Sequence, residues 1–411
     1  MEIRPIFSAL LRNKTGALLV AVQVAISMAI LANALHIVNG RLDKAARPSG
    51  LGDESSLFHL QVRALNTAGH EEILATQKRE VATLRAVAGV QSVAQVSQIP
   101  LSMSGSTNDV SVDRKQVNAT ANAGFYMSPD SLIDTWELKL VAGRDFTPAD
   151  VKEIDPDTDT KFPEELIVTR KLAEKLFPGE ASAVGKIMYF GTGEGALQAR
   201  IIGVVERLQT PHSQVSEAGE FSTITPVRIT GRGINFYTVR AEKGQRDRVM
   251  REAEAALQRA SPTPLIIKAE TMDETRQKRY RSDRTMSWML VIVSALLLLI
   301  TASGIVGIAS LWVTQRRKQI GVRRALGARR VDILRYFLTE NFMITSAGVG
   351  AGVMMAIGLN QLLVTKLEMD RLPIVYLVAG SAVFWALGVL AVYGPAWRAA
   401  SISPALATRS A

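Results

Sequence analysis

The stretch "RRKQIGVRRALGARR", residues 316–330, is crowded with arginine and lysine, contains no acid, and lies between two long apolar runs. Working outward from it, four runs carry almost no charge: residues 15–40, 287–313, 342–364 and 374–393. Each supplies the roughly 20 apolar residues that cross about 30 Å of hydrocarbon as a helix. The first, with Ala32-Asn33-Ala34 near its end, shares features with a secretory signal, but its apolar part exceeds the roughly 7–15 residues of such a region, so a span is expected. Arg4, Arg12 and Lys14 precede the first run, the quoted block separates the second from the third, and Arg398 and Arg409 follow the fourth. Four crossings put all of these on one side, which the positive-inside rule makes cytoplasmic, with both termini.

Residues 41–285 then form one large extracytoplasmic insert. Arg276, Lys278, Arg279, Arg281 and Arg284 fall on that outer side, interleaved with Asp273, Glu274 and Asp283. Long translocated domains obey the charge rule weakly, and these residues are read as an exposed helix continuing the second span. The 411 residues carry 48 Lys and Arg against 38 Asp and Glu, a net charge of +10. With no basic stripe bearing interleaved aromatics, that excess points to anionic lipid and topology, and no nucleic-acid partner is expected. The absence of cysteine excludes disulfides, thiolate catalysis and zinc–sulfur sites.

Within the insert, residues 57–63 read as a strand, 70–87 as a helix with apolar residues at helical spacing, and 90–96 as a strand. The same order returns at 234–240, 245–260 and 264–268. The two units predict a membrane-proximal α+β platform (57–98 and 234–285) interrupted by a mostly β subdomain (99–233). Inside that subdomain, a strand at 165–168 leads into a helix at 170–177, and "GTGEG" (191–195) reads as the turn of a hairpin between 186–190 and 197–205.

Signals of chemistry are weak. "DPDTDT" (155–160) starts like a calcium loop, but Thr160 stands where the turn glycine belongs and Leu166 where the bidentate Glu belongs. No P-loop motif occurs, and His36, His59, His70 and His212 lack ligand spacing. No metal, catalytic residue or bound cofactor is expected. The spans hold no acid or base in their interiors, which disfavours an ion-relaying transporter. They do offer small residues at packing intervals: Ala17, Ala21, Ala25 and Ala29 on the first, Ser303 and Gly307 on the second, Gly348 and Gly352 on the third.

The basic block is more than a topology signal. Gly321 and Gly327 bracket one or two helical turns, with Ile320, Val322 and Leu326 apolar among the arginines, and a second amphipathic stretch (331–338) leads into the third span. The spacing predicts a knob between two glycine breaks, shaped to dock on a cytoplasmic partner.

The longer stretch "RRKQIGVRRALGARRVDILRYFLTEN" resembles the cytoplasmic loop of MacB/FtsX-type permeases of the type VII ABC transporter superfamily. "YGPAWRAASISPALATRS" is similar to their closing signature. "SPDSLIDTWELKLVAGRDFTPAD" and "ELIVTRKLAEKLFPGEASAVGKIMYFG" resemble their periplasmic core domain. The resemblance implies four transmembrane helices with a large α+β periplasmic domain of two subdomains between the first and second, an amphipathic helix at 1–14, and an FtsX-like domain at 286–411. It implies a coupling helix within the cytoplasmic loop 314–341, carried by Gln319, Ile320, Gly321, Val322, Arg323, Arg324, Ala325, Leu326 and Gly327. It further implies a separate ATPase dimer that binds ATP and Mg, since MacB carries its ATPase ahead of the first span and this chain begins at the membrane helix. A second permease copy or sister permease, pairing through the first two spans, and a periplasmic adaptor complete the expected inner-membrane machine. Its output would be efflux by mechanotransmission, with lipoprotein release or control of a cell-wall hydrolase as alternatives. A receptor that needs no ATPase is the rival from another class.

Overall fold

In the computed structural model, residues 14–65, 69–155, 158–159, 162–213, 217–230, 234–367 and 370–401 are described. The chain forms two compact units, one from its two ends (up to Ala45 and from Ser282) and one from Ala46–Arg281. The expected amphipathic helix at 1–14, apart from Lys14, and the closing signature beyond Ser401 lie outside the described residues.

In chain order the elements are α1 (Lys14–Ala45), β1 (Leu57–Ala64), α2 (His70–Arg85), β2 (Val90–Val96), β3 (Thr107–Ser111), β4 (Ala121–Met127), α3 (Leu132–Thr135), β5 (Leu140–Gly143), β6 (Lys152–Ile154), β7 (Glu165–Thr169) and α4 (Arg170–Leu176). There follow β8 (Ile187–Phe190), β9 (Leu197–Val205), β10 (Ser222–Thr225), β11 (Val227–Ile229), β12 (Ile234–Ala241), α5 (Arg246–Ala260), β13 (Leu265–Thr271), α6 (Met272–Gln315), α7 (Arg317–Ala325), α8 (Arg330–Leu367) and α9 (Ile374–Ala400). Four of them, α1, α6, α8 and α9, are long and apolar enough to cross a membrane, so this is a multi-pass membrane protein with an α+β domain between its first and second spans.

Close backbone approach organises the membrane unit around α1. Val24, Met28 and Ala32 are fully buried there. A Cβ on Gly348 would lie 2.8 Å from the Ala21 carbonyl and from Val24 Cβ, one on Gly352 2.8 Å from Met28 Cβ, and one on Gly380 2.8 Å from Met28 Sδ. In lipid, such packing gains dispersion that a bulkier residue would forfeit. Two polar contacts tie the bundle together: Ser27 and Thr301 hydroxyls lie 2.9 Å apart, and Asn33 donates to the carbonyls of Ala29 at 3.0 Å and Ala356 at 3.1 Å. Gly352→Val is expected to push α8 away from Met28 at a cost of roughly 1–3 kcal/mol, seen as a lower melting temperature in detergent. Gly358→Val, where nothing lies within 4 Å of the added Cβ, is expected to change it little.

Among its described residues the interposed unit contains two larger sheets and a parallel two-stranded pairing of β6 with β11. The first has the order β13-β1-β12-β2, antiparallel throughout. Alternation sorts its residues by face: Phe58, Leu60, Val62, Tyr237 and Val239 pack against Val81 and Leu84 of α2 and Val249, Ala253 and Leu257 of α5. The second sheet runs β5-β9-β7-β10-β4-β3-β8, and β8 pairs back onto β9, so six strands close on themselves. Its core holds Leu166, Val168, Leu172, Met188 and Ile201. "GTGEG" is the β8–β9 hairpin turn, with Phe190 opposite Leu197 and positive φ at Gly191 and Gly193, which suits glycine. A third core joins the two sheets: Trp136 and Tyr126, both fully buried, meet edge to face with Leu57, Val96 and Ile167, and the Trp136 indole donates to Thr238 at 2.8 Å. Chain entry and exit of the second sheet lie side by side, since Val96 is the register partner of Phe236.

Of the basic residues that lead into the second span, Arg276, Lys278 and Arg279 have protein partners. Arg276 makes a two-pronged pair with Glu54 at 2.6 and 3.1 Å, Arg279 donates to the carbonyls of His212 and Ser213, and Lys278 lies 2.9 Å from Glu270. Arg41 is paired with Asp283. Pairing explains how so much positive charge is tolerated beside a span.

On the face of the first sheet away from α2 and α5 sits His59, 7% exposed. Burial lowers its pKa from 6.5 to about 4, against the pull of Glu270; Glu274, Lys268 and Lys278 also face it. Because the folded ring holds its proton less tightly than the unfolded one, its stabilising contribution is full above about pH 6.5 and is lost as pH falls toward 4. That amounts to on the order of 2–3 kcal/mol and several degrees of midpoint. Glu80, hydrogen-bonded by Tyr237 and Asn235 and shifted upward by burial, acts in the opposite direction in acid. The unfolding midpoint of the wild-type chain is expected to drop more steeply between pH 7 and 4.5 than that of His59→Leu; parallel curves would refute the assignment.

Candidate partner-docking site

The block that links the second and third spans folds as a helical reversal. α7 starts at Arg317 directly after α6 and ends in a Schellman motif: Ala328 N–H bonds the Arg323 carbonyl at 3.0 Å, Gly327 N–H bonds the Arg324 carbonyl at 3.2 Å, and Gly327 takes φ +96°. Asp332 then accepts from the Arg329 backbone N–H at 3.0 Å as α8 begins. The expected break at Gly321 does not exist. Gly321 lies inside α7 and is buried, because the helix presses that face onto its neighbours and glycine fits there without ending the hydrogen-bond ladder. The second amphipathic stretch leads straight into the third span, as expected, and forms the first turns of α8.

One face of α7 is anchored. Ile320, 5% exposed, joins Ile333 and Phe337 in the apolar core of the helix bundle. Arg323 stacks over the Tyr336 ring at 5.2 Å. Just before α7, Arg316 lies over the Trp312 ring, donates to both Glu340 carboxylate oxygens at 2.9 and 2.8 Å, and reaches Tyr336 Oη at 3.3 Å. Glu340 is 1% exposed, so this two-pronged, charge-assisted contact is a buried clamp between the end of α6 and the wall of α8. Sequence reasoning passed over Glu340 because it lies just outside the apolar run. A carboxylate embedded in an otherwise apolar helix, with an arginine free to meet it, is the signal that could have found it.

The other face is open. Gln319, Val322, Ala325, Leu326 and Gly327 are exposed, Leu326 most of all among the apolar ones at 83%, Arg323 is exposed at the edge between the two faces, and Arg324 is half-buried with a bond from its guanidinium to the Ala328 carbonyl. Apolar side chains ringed by guanidinium groups on a rigid tip can bury surface against an apolar groove and meet acidic residues at its rim.

Two family profiles cover the chain: the MacB-like periplasmic core domain matches residues 17–256, and the FtsX-like permease C-terminal domain matches 291–404. The chain belongs to the MacB-like permeases. Among curated relatives, the macrolide export ATP-binding/permease protein MacB of Agrobacterium fabrum is 27% identical over 338 residues, 79% of this chain and 49% of that protein. The protein of the same name from Neisseria gonorrhoeae is 28% identical over 294 residues, 70% of this chain and 43% of that protein. That of Chromobacterium violaceum is 27% identical over 274 residues, 65% and 40%. The chain therefore spans about half or less of the length of these relatives. A solved heavy metal efflux pump aligns at 12% identity with a TM-score of 0.17, too low to indicate a shared fold.

The expected packing residues of this MacB-like permease divide into two sets. Ala25 and Ala29 are buried, Ala17 and Ala21 half-buried against the same core, and Gly348 and Gly352 form the close approach to α1. Ser303 and Gly307 face outward, and nothing lies within 4 Å of a Cβ placed on Gly307. On α6 the intimate contact is instead at Gly304, whose added Cβ would meet Gln23 Oε1 at 2.5 Å. The outward face of α6 also carries Trp288, Leu299 and Leu311, apolar and exposed. Of the acidic loop, Pro156, Asp157 and Thr160 lie outside the described residues, and among the described residues no group of three or more His, Asp or Glu is placed to hold a metal.

Proposed function

We propose that this ABC transporter permease subunit takes its mechanical input at α7, from a separate ATPase dimer that binds ATP and Mg. The observation that carries the reading is the two-sided build of α7: anchored by Ile320 and the Arg316–Glu340 clamp, it offers Val322 and Leu326 to an outside partner. A tip held on one side and apolar on the other transmits a push without bending. In this reading the block is cytoplasmic, both termini share its side, and the interposed unit is the periplasmic working domain in a Gram-negative inner membrane. Spans free of relay residues suit levers better than a pore. The open face of α6, with Ser303 and Gly307 among apolar side chains, is where a second permease copy or a sister permease would pack, with lipid covering the rest. The chain itself performs no catalysis, and the output is efflux by mechanotransmission with a periplasmic adaptor.

Affinity purification from gently solubilised native membranes, followed by mass spectrometry and an ATPase assay, tests this. Recovery of a P-loop ATPase with stimulated activity supports it. Recovery of the chain alone and without ATPase activity, across several detergents, sinks it in favour of a receptor.

A further inference from the structure

One loop of the closed sheet, residues 206–213 directly after β9, holds both the chain that follows α1 and the first turns of α6. Gln209 at its centre is fully buried and uses every hydrogen-bonding group it has. Its Nε2 donates to the carbonyls of Arg47 at 3.2 Å and Pro48 at 2.9 Å, and its backbone N–H donates to that of Ser49 at 2.8 Å. Its own carbonyl accepts from Tyr126 Oη at 2.6 Å, and its Oε1 accepts from Ser213 Oγ at 2.6 Å. Ser213 thereby gives away its single proton, so in its 2.9 Å contact with Tyr280 Oη the tyrosine is the donor. Beside Tyr280, Arg279 donates to the carbonyls of His212 and Ser213, and Arg276 donates to the Arg47 carbonyl at 3.1 Å. Backbones meet as closely: Gly50 takes φ +96°, and a Cβ there would lie 2.1 Å from the Arg207 carbonyl oxygen.

Linker to loop, loop to α6 and α6 to linker are the three sides of a triangle. Its effect follows from where α6 is already held. Met272, 2% exposed, sits in the third core at the very start of the helix. A helix gripped at one point can pivot there, and hinges are a few residues at the end of an element that absorb the backbone change. Tyr280, also 2% exposed, stands eight positions further, about 12 Å along the axis. Two anchors at that separation fix a direction. The second is stiff, because a buried polar network with every member satisfied rigidifies its surroundings. Ser213 holds φ +44°, with its N–H on Thr210 Oγ1 at 2.9 Å, and a non-glycine residue stays in that region only where neighbours over-determine it.

We propose that this triangle is a rigid joint: Gln209, Ser213 and Tyr280 are positioning residues that make the first turns of α6 and both sheets of the interposed unit one body, so that a tilt of α6 becomes a tilt of the sheets. The inference deepens the mechanical reading above and rests on it for the source of the tilt. The stiffness of the joint is a property of the chain alone.

The chain has no cysteine, so spin labels go only where cysteines are introduced. Glu194→Cys in the β8–β9 turn with Met289→Cys on the exposed side of α6 reports the joint, and Glu194→Cys with Ala75→Cys on α2 reports whether the two sheets stay together. Distances are read by double electron–electron resonance on the full chain in nanodiscs, without nucleotide or ATPase. Both pairs are expected to give a single narrow distribution. Gln209→Leu with Ser213→Ala is expected to broaden the first about twofold or more, by freeing a hinge at the start of α6, and to leave the second unchanged. Arg279→Gln with Tyr280→Phe cuts only the α6 side of the triangle and leaves Gln209 in place, so it gives the same reading even where the first variant fails to fold. A joint distribution that is broad without these substitutions, or unchanged in a folded variant, overturns the proposal. Broadening of both pairs together also overturns it, since the network would then only hold the sheets to one another. Failure of the ATPase reading shows instead as a pull-down without an ATPase, which does not enter these distances.

Discussion

Glu340→Gln is expected to lower the unfolding free energy of the membrane unit by about 3–5 kcal/mol, because it strands the Arg316 guanidinium against a buried site whose counter-charge is gone. The loss comes from the orphaned partner more than from the missing attraction. Replacing both members, Arg316→Met with Glu340→Leu, is accordingly expected to restore most of the stability, since an apolar pair of similar volume pays no desolvation penalty. Thermal unfolding of the purified chain in detergent reads both. A Glu340→Gln protein as stable as wild type would show that the clamp holds nothing.

The second large effect concerns function and spares the fold. Val322→Asp with Leu326→Asp places two charges on an exposed face, where substitutions usually move stability by less than about 0.5 kcal/mol. Under the proposed coupling, the same charges enter an apolar groove on the ATPase, and stimulated ATPase activity is expected to fall at least tenfold, with loss of co-purification. Ile320→Asp provides the contrast. That side chain belongs to the internal core, so its variant should lose stability and coupling together. ATPase stimulation unchanged in the double aspartate variant would remove α7 from the docking role.

Most of the architecture could be read from linear order because its causes are local. Uninterrupted apolar runs longer than a bilayer is thick announce the spans, and alternation of period two against period 3.6 separates β1 from α2 and β12 from α5. Gly191 and Gly193 stood out for the same reason: a tight hairpin needs their backbone freedom. What escaped reading depends on partners distant in sequence. Gly321 looked like a break because glycine weakens isolated helices, yet burial against neighbouring helices outweighs roughly 1 kcal/mol of propensity. Glu340 stands out only as a carboxylate beside an apolar run, and its role shows once Arg316, 24 positions away, is placed beside it. On α6, periodicity alone could not tell which side of the helix meets α1. The contact uses Gly304 and Thr301, while Ser303 and Gly307 turn away.

Val96 and Phe236, facing one another across neighbouring strands, bear on how such a domain can change over evolution. Everything between them enters and leaves the four-stranded sheet through one doorway, so by topology the closed sheet is a cassette that a short turn could replace. Packing sets the opposite condition. Trp136 and Tyr126, which belong to the cassette, fill the core beneath Leu57, and Trp136 bonds Thr238 of the host sheet. A lineage could exchange the cassette for another only by supplying a new plug for that hole, which leaves the strand connections free to vary while the aromatic seat beneath them is constrained.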